Sequence, residues 1–162
     1  MIPAHFHLSY PAKSRLHMGI CGSIAAYKAL DLCRSFQGLG LRVGATLTPA
    51  GAEFITPLSL SALGVDPVYT RFFSSADSVY AHLEPGQNSR AFLVAPASAN
   101  TLAKMANGLA DTMLSCQLLA SACPIIIAPA MNPNLWEAEA TRENVHRLNQ
   151  RENIHIIPPD WG

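Results

Sequence analysis

The stretch LHMGICGSIAAYKALDLCRSFQGLGLRVGATL, residues 16–47, decides the fold. Leu16 to Cys21 reads as a short buried strand, and Gly22-Ser23 punctuates it before a helical pattern opens at Ile24. On that helix Ala26, Ala29, Leu30, Cys33 and Phe36 share one face, while Lys28, Asp31 and Arg34 or Ser35 fall away from it. Gly38 and Gly40 end it. Arg42 to Leu47 then reads as a second strand, so strand, helix and strand predict a parallel pair joined by a right-handed crossover.

The same alternation continues outward. Ala50 to Leu63 is expected to be helical in two pieces, because Pro57 fits best at the first turn of a new helix. Residues 64–90, with Pro67, Pro85, two glycines and a serine cluster, form an irregular excursion of the kind that carries function. Ala91 to Ala95 is a buried strand followed by PASAN and a helix with Leu102, Ala103 and Ala106 on its apolar side. Gly108 interrupts that helix, and Leu109 to Leu119 continues helically. Pro124 to Ala128 is strand-like and ends in PAMN. A short helix near Trp136, a polar helix from Arg142 to Gln150 and a strand from Ile154 to Ile157 complete the pattern. The expected fold class is α/β: a single doubly wound, open parallel sheet, Rossmann-like or flavodoxin-like, with helices on both faces. Residues 1–15 are expected to be a mobile N-terminal arm, and residues 16–162 the domain.

With 162 residues and 49% apolar composition, the chain can bury one core without disulfide staples. Eleven acids balance eleven bases, so no long-range field gathers nucleic acid or anionic lipid. The apolar runs are far shorter than the ~20 residues a bilayer requires, and MIPAHFHLSY lacks the order of a secretory signal. The expectation is a cytoplasmic protein with neither nucleic acid nor membrane as partner. Cys21, Cys33, Cys116 and Cys123 form no CxxC pair, which fits reduced thiols. His5, His7 and His17 fall in or just after the leader with no metal-binding spacing.

In doubly wound sheets ligands lie beyond the carboxyl ends of the strands. Here those ends carry Gly22-Ser23, Thr48-Pro49, PASAN and PAMN. Gly22 permits close backbone approach, Ser23 can donate or accept, and the amides opening the next helix can hold a phosphate. Ser98, Asn100 and Thr101 repeat that arrangement. The competing reading is that these residues only cap their helices. No GxGxxG is present and no acid closes the second strand, which disfavours a nicotinamide dinucleotide; the absence of GK[ST] excludes a P-loop. His82 lies in the excursion with Glu84 as its nearest carboxylate, and stands either as a functional histidine or as a surface one. Asn132 can bind a carboxylate or cap the helix that holds Trp136. Met131 and Trp136 can equally be core filling.

Taken in order, GSIAAYK (22–28), TPAGAEFITPL (48–58), His82, PASANTLAKMANGLADTMLSC (96–116) and PAMNPNLW (129–136) make the sequence similar to the flavin-containing cysteine decarboxylases. Within these it most resembles the phosphopantothenoylcysteine decarboxylases, over nearly all of residues 19–159. The resemblance implies bound FMN, with Gly22, Ser23, Ile24, Thr48, Ser98, Ala99, Asn100, Thr101, Ala130 and Met131 around it. It implies His82 as the active-site histidine and Asn132 as the ligand of the substrate carboxylate. The implied reaction is flavin oxidation at the cysteine thiol followed by loss of carbon dioxide, taking 4'-phospho-N-pantothenoylcysteine to 4'-phosphopantetheine in coenzyme A biosynthesis. Trimers, or dodecamers of trimers, with the flavin at a subunit interface are implied as well.

The sequence departs from the family pattern twice. Leu135 stands where PxMNxxMW has methionine, a change of shape at nearly constant volume that is expected to alter packing more than binding. The family also continues into a flap bearing a cysteine that returns electrons, whereas this sequence ends at Gly162. A chain without the flap is expected to bind FMN and either turn over poorly or stop at an oxidised enethiol, as enzymes acting on peptidyl cysteines do. Two other readings within similar folds are an FMN-binding regulatory relative without activity and a flavin prenyltransferase. The first loop, GSIAAYK, and the intact PAMN speak against the prenyltransferase.

Overall fold

The computed structural model describes residues 15–72 and 80–160. Six strands, β1 (Arg15–Ile20), β2 (Arg42–Leu47), β3 (Val68–Tyr69), β4 (Ser89–Ala97), β5 (Ile125–Pro129) and β6 (Ile154–Ile156), form one sheet in the order β3-β2-β1-β4-β5-β6. Every neighbouring pair is parallel. The helices are α1 (Lys28–Gly38), α2 (Pro49–Ala52), α3 (Pro57–Ala62), α4 (Glu84–Asn88), α5 (Ala99–Asn107), α6 (Met113–Leu119), α7 (Pro133–Glu137) and α8 (Glu139–Asn149). The alternating sheet with its central strand order is the doubly wound arrangement expected from the sequence.

Side chains alternate across the sheet and feed two cores. Met18, Ile20, Val43, Ala45, Leu47, Leu93 and Ala95 pack with Ala26, Ala29, Cys33 and Leu60 on one side. Phe92, Val94, Ile125 and Ile127 pack with Leu102, Met105, Leu114, Leu118 and Leu148 on the other. The face assigned to the first helix is therefore the buried one. Its carboxyl end closes as a left-handed turn: Gly40 at φ 80° donates to Gln37 O, and Leu41 N donates back to Phe36 O. That double bond pattern satisfies carbonyls the helix leaves open, and a side chain at Gly40 would resist the backbone angle.

Several expectations change on contact with the structure. Arg15, assigned to the arm, is the buried first residue of β1, held there by an ion pair between its guanidinium and Glu84. The rest of the arm, residues 1–14, lies outside the described residues. The segment after Ser23 opens as a 3-10 turn, Ile24–Tyr27, before α1 begins. The excursion contains β3 and α4, which are too short to show a period in sequence. Leu109 to Asp111 are not helical, because Gly108 at φ 69° ends α5 and a reciprocal cap between Thr112 and Ser115 starts α6. Finally β4 runs past Pro96 to Ala97. Its pairing with β5 steps from Val94↔Ile127 to Ala97↔Pro129, so one extra residue on β4 carries the proline where no ladder donor is needed.

Helix α2 sits unusually close to the end of β1. A Cβ at Gly51 would lie 2.5 Å from the carbonyl oxygen of Ile20, and one at Gly22 2.5 Å from Ala50 Cβ. The closeness at Gly22 therefore serves chain packing. Substituting Gly51→Ala is expected to destabilise the protein by about 1–3 kcal/mol through overpacking, measured from the urea midpoint; an unchanged midpoint would contradict this contact.

Candidate functional site

The strand order reverses between β1 and β4, so the loops leaving these two strands diverge to opposite sides and leave a crevice beyond their ends. Backbone bonds fix its floor: Cys21 N donates to Pro96 O at 3.1 Å, Thr48 N to Ile20 O at 3.0 Å and Ala130 N to Ala97 O at 3.0 Å. Each loop then begins a helix under a side-chain cap. Ser23 Oγ accepts from Ala25 N, Thr48 Oγ1 from Gly51 N, Ser98 Oγ from Thr101 N and Asn132 Oδ1 from Asn134 N. These four caps are real. The first residues of the 3-10 turn and of α5, whose opening amides have no intrahelical acceptor, are among those that line the crevice.

The crevice has two lobes that share Gly22 and Ser98. The smaller, about 300 Å³, is lined by hydroxyls and amides from Thr48, Ser98, Asn100, Thr101, Thr112 and Ser115. The larger, about 640 Å³, has Ile24, Ala99, Pro129, Ala130, Met131 and Leu135 on its walls and Asn132 at its edge. Thus the structure gathers Gly22, Ser23, Ile24, Thr48, Ser98, Ala99, Asn100, Thr101, Ala130, Met131 and Asn132 into one crevice. Both lobes mix polar and apolar lining: Pro49, Ala50 and Leu114 join the hydroxyls of the smaller, and Ser23, Ser98, Asn132 and Asp160 join the apolar walls of the larger. Lys104 reaches the smaller lobe, but its ammonium is engaged by Asp111 at 2.8 Å.

Below the floor, Cys21 Sγ lies 3.1 Å from Thr101 Oγ1, which lies 3.2 Å from Ser98 Oγ. Burial pushes the Cys21 thiol up, against smaller opposing hydrogen bonds from Thr101 and Ser98. It is a packed thiol that orients the Ser98 cap, and its thiolate is disfavoured.

His82 is not among the residues lining either lobe. It is half-buried in the turn that precedes α4. Glu84 is not its partner either: that carboxylate pairs with Arg15 and accepts from Tyr69 Oη at 3.2 Å and Asn88 Nδ2 at 3.0 Å. Asn132 spends its Oδ1 on the α7 cap, which fixes the amide and leaves Nδ2 to donate to another acceptor. Met131 lines the crevice while packing on the second core, and Trp136 packs on that core alone.

A crevice of this make-up at the switch point is what a flavin mononucleotide would need, and the sequence match agrees with it: the Flavoprotein family matches residues 7–161. The chain belongs to the flavoprotein family. A probable phosphopantothenoylcysteine decarboxylase of Streptococcus mutans is 39% identical over 147 residues, covering 89% of this chain and 82% of the relative. The coenzyme A biosynthesis bifunctional protein CoaBC of Haemophilus influenzae is 38% identical over 146 residues, covering 90% of this chain. The chain spans about a third of the length of such bifunctional relatives, 36% in that case. Among solved structures, the FMN-dependent cysteine decarboxylase SpaF superposes with a TM-score of 0.84 at 31% identity, covering 93% of this chain and 87% of its own. A PPC decarboxylase mutant complexed with pantothenoylaminoethenethiol superposes at 0.76 with 32% identity, covering 91% and 83%.

Two buried polar residues escaped the sequence. His17, grouped with the leader, is a fully buried side chain of β1, and Gln117 is buried beneath the turn that carries His82. The signal available was a lone histidine inside an otherwise apolar strand.

Burial pushes the Glu84 carboxyl up, but hydrogen bonds from Arg15 first, then Asn88 and Tyr69, together with the Arg15 charge, hold it below the usual glutamate value. A depressed folded pKa contributes stability that is present above the unfolded value of about 4.3 and is lost as pH falls through the folded value. Glu84→Gln should lower the urea midpoint at pH 7 and flatten the acid decline below about pH 4.3. Parallel acid limbs for the two proteins would remove this role.

Proposed function

We propose that the chain binds FMN in the crevice and decarboxylates the cysteine end of 4'-phospho-N-pantothenoylcysteine, giving 4'-phosphopantetheine. The observation that carries this is the two-lobed crevice at the switch point, with Thr48, Ser98, Asn100 and Thr101 lining one lobe and Ile24, Ala130, Met131 and Asn132 lining the adjoining one. The donor set fits the group. Gly22, Ser23, Thr48, Ser98, Asn100 and Thr101 would hold its phosphate and ribityl chain, and Ile24, Ala99, Ala130 and Met131 would border its ring. Bound FMN would supply a two-electron acceptor for the substrate thiol; loss of carbon dioxide then leaves an enethiol, and return of the same two electrons with a proton gives the saturated thiol, so that the net reaction is decarboxylation alone. The chain's own residues bind and orient. Asn132, with its Oδ1 fixed in the cap, donates from Nδ2 to the substrate carboxylate. His82 accepts the proton released at the thiol end.

Because His82 does not line the crevice of its own chain, the reading places the site between subunits, with the histidine of one copy serving the crevice of the next. The apolar rim supports this: Ile24 is 77% and Leu135 53% exposed in the single chain, more than a lone crevice edge requires. The assembly proposed is a trimer, or a dodecamer of trimers. A cytoplasmic location belongs to the same reading, supported by four free cysteines.

A second reading is oxidative decarboxylation of a peptidyl cysteine, ending at the enethiol. It uses the same crevice and the same residues and differs only in releasing the product before the two electrons return to it. The product separates the two, since one reading yields a saturated thiol and the other an unsaturated one.

The visible spectrum of the purified protein, with identification of the chromophore released by heat, tests the cofactor; a colourless protein that takes up no FMN would end the proposal. Given bound FMN, His82→Asn should lower kcat for carbon dioxide release by at least about a hundredfold with FMN retained. Normal turnover would exclude His82 as the base. Asp caps a helix as well as Asn does, so Asn132→Asp should keep its stability while raising KM by about tenfold or more through like-charge repulsion with the substrate. An unchanged KM would leave Asn132 a cap alone.

A further inference from the structure

A buried line of hydrogen bonds runs from the centre of the sheet to the turn that carries His82. His17 Nε2 lies 2.8 Å from Thr46 Oγ1, Thr46 Oγ1 donates to Gln117 Oε1 at 2.6 Å, and Gln117 Nε2 donates to Ala81 O at 3.0 Å. His17, Thr46 and Gln117 are each fully buried.

The end of the line fixes its direction. Ala81 O can only accept, so the NH2 of Gln117 must face it and Oε1 must face Thr46. Thr46 then spends its one hydrogen on Gln117, and its oxygen can only accept from His17. His17 is therefore the Nε2–H tautomer. Its Nδ1 makes no hydrogen bond among the described residues. Burial first, then the Arg15 charge, pushes the imidazole well below the usual histidine value, which keeps the ring neutral. Gly44 gives the ring its space: a Cβ there would lie 2.9 Å from His17 Nδ1.

The turn is held at both ends. At Ala81 the carbonyl is bound by Gln117, and the side chain packs with Tyr69 and Met113. At Glu84 the carboxylate is bound by Arg15, Tyr69 and Asn88. His82 lies between the two anchors, one residue from the first, with its ring half-exposed. An apolar trio at positions 17, 46 and 117 would avoid burying polar groups, but it would leave Ala81 O without a donor and the turn free at that end.

We infer that Gln117 is a positioning residue for His82, and that the line from His17 through Thr46 orients the Gln117 amide that fixes the backbone one residue before the histidine. This rests on the reading of His82 as the proton acceptor. The histidine acts at the site, and Gln117 acts only through it.

The test uses the FMN-loaded protein and the variants Gln117→Met, Thr46→Val and Thr46→Ser, with His82→Asn as reference. Gln117→Met and Thr46→Val should lower kcat by about tenfold to a hundredfold, the range for a misplaced reacting group, with KM and FMN content unchanged. Thr46→Ser, which restores the hydroxyl, should recover most of the rate. Nitrogen NMR of histidine-labelled wild-type protein should show His17 protonated at Nε2 and bare at Nδ1, and the Gln117 side-chain amide should exchange more slowly than that of exposed Gln87. In Gln117→Met the His82 ring resonances should shift while FMN stays bound. His17 protonated at Nδ1, fast exchange of the Gln117 amide, or wild-type kcat and unmoved His82 resonances in Gln117→Met would each overturn the inference. The first two are read on wild-type protein and decide the matter even if both disruptive variants fail to fold. Should His82→Asn turn over normally, the base reading fails by itself, and the NMR shift still reports whether Gln117 holds the turn. An inactive His82→Asn beside a fully active Gln117→Met sinks the inference and leaves the base reading standing.

Discussion

The parallel pairing of β1 with β4 is the constraint on which the rest of the structure depends. Both strands are covered on both faces, so they must be apolar nearly throughout, and their neighbours must leave to opposite sides. That divergence opens the crevice, and it places the loops after Ile20 and Ala97 side by side. Each loop must then satisfy the amides of the helix it starts. Serine, threonine and asparagine do this with one oxygen, which explains why the crevice walls are rich in small polar residues before any ligand is considered.

The caps and the ligand reading are thus not rivals. A cap spends one oxygen and leaves the rest of its residue at the crevice, so a residue that serves the fold is also free to serve the proposed site. Asn132 shows the division most plainly, with one end of its amide in the cap and the other left to donate. Gly22 combines two constraints. Ala50 occupies the space a Cβ would need, and the residue also lines both lobes of the crevice.

What was legible in the sequence followed from period and punctuation. Strands β1, β2, β4 and β5 are apolar runs bounded by Gly, Pro or Ser, and the buried side of α1 is written in the spacing of Ala26, Ala29 and Cys33. The illegible parts are those that depend on distant contacts. A strand of two residues such as Val68–Tyr69 has no pattern, the strand continues through Pro96 only because a bulge removes the need for its donor, and Arg15 belongs to the sheet because Glu84, far along the chain, accepts it. The crevice residues could be gathered from sequence because strand ends in such a sheet share one edge. That His82 is not among them could not, since that depends on how the excursion packs.

The sheet ends in very short borders: β3 has two residues and β6 three. A border strand offers unpaired amides and carbonyls to another chain, and its length sets how firmly a stranger can zip onto it. With so little ladder at either margin of the sheet, the described residues give other chains no long rail along which to extend it. Copies that meet must do so through side chains on helices and loops. In the proposed assembly the exposed apolar side chains at the crevice mouth would join subunits without also seeding open-ended strand-by-strand growth.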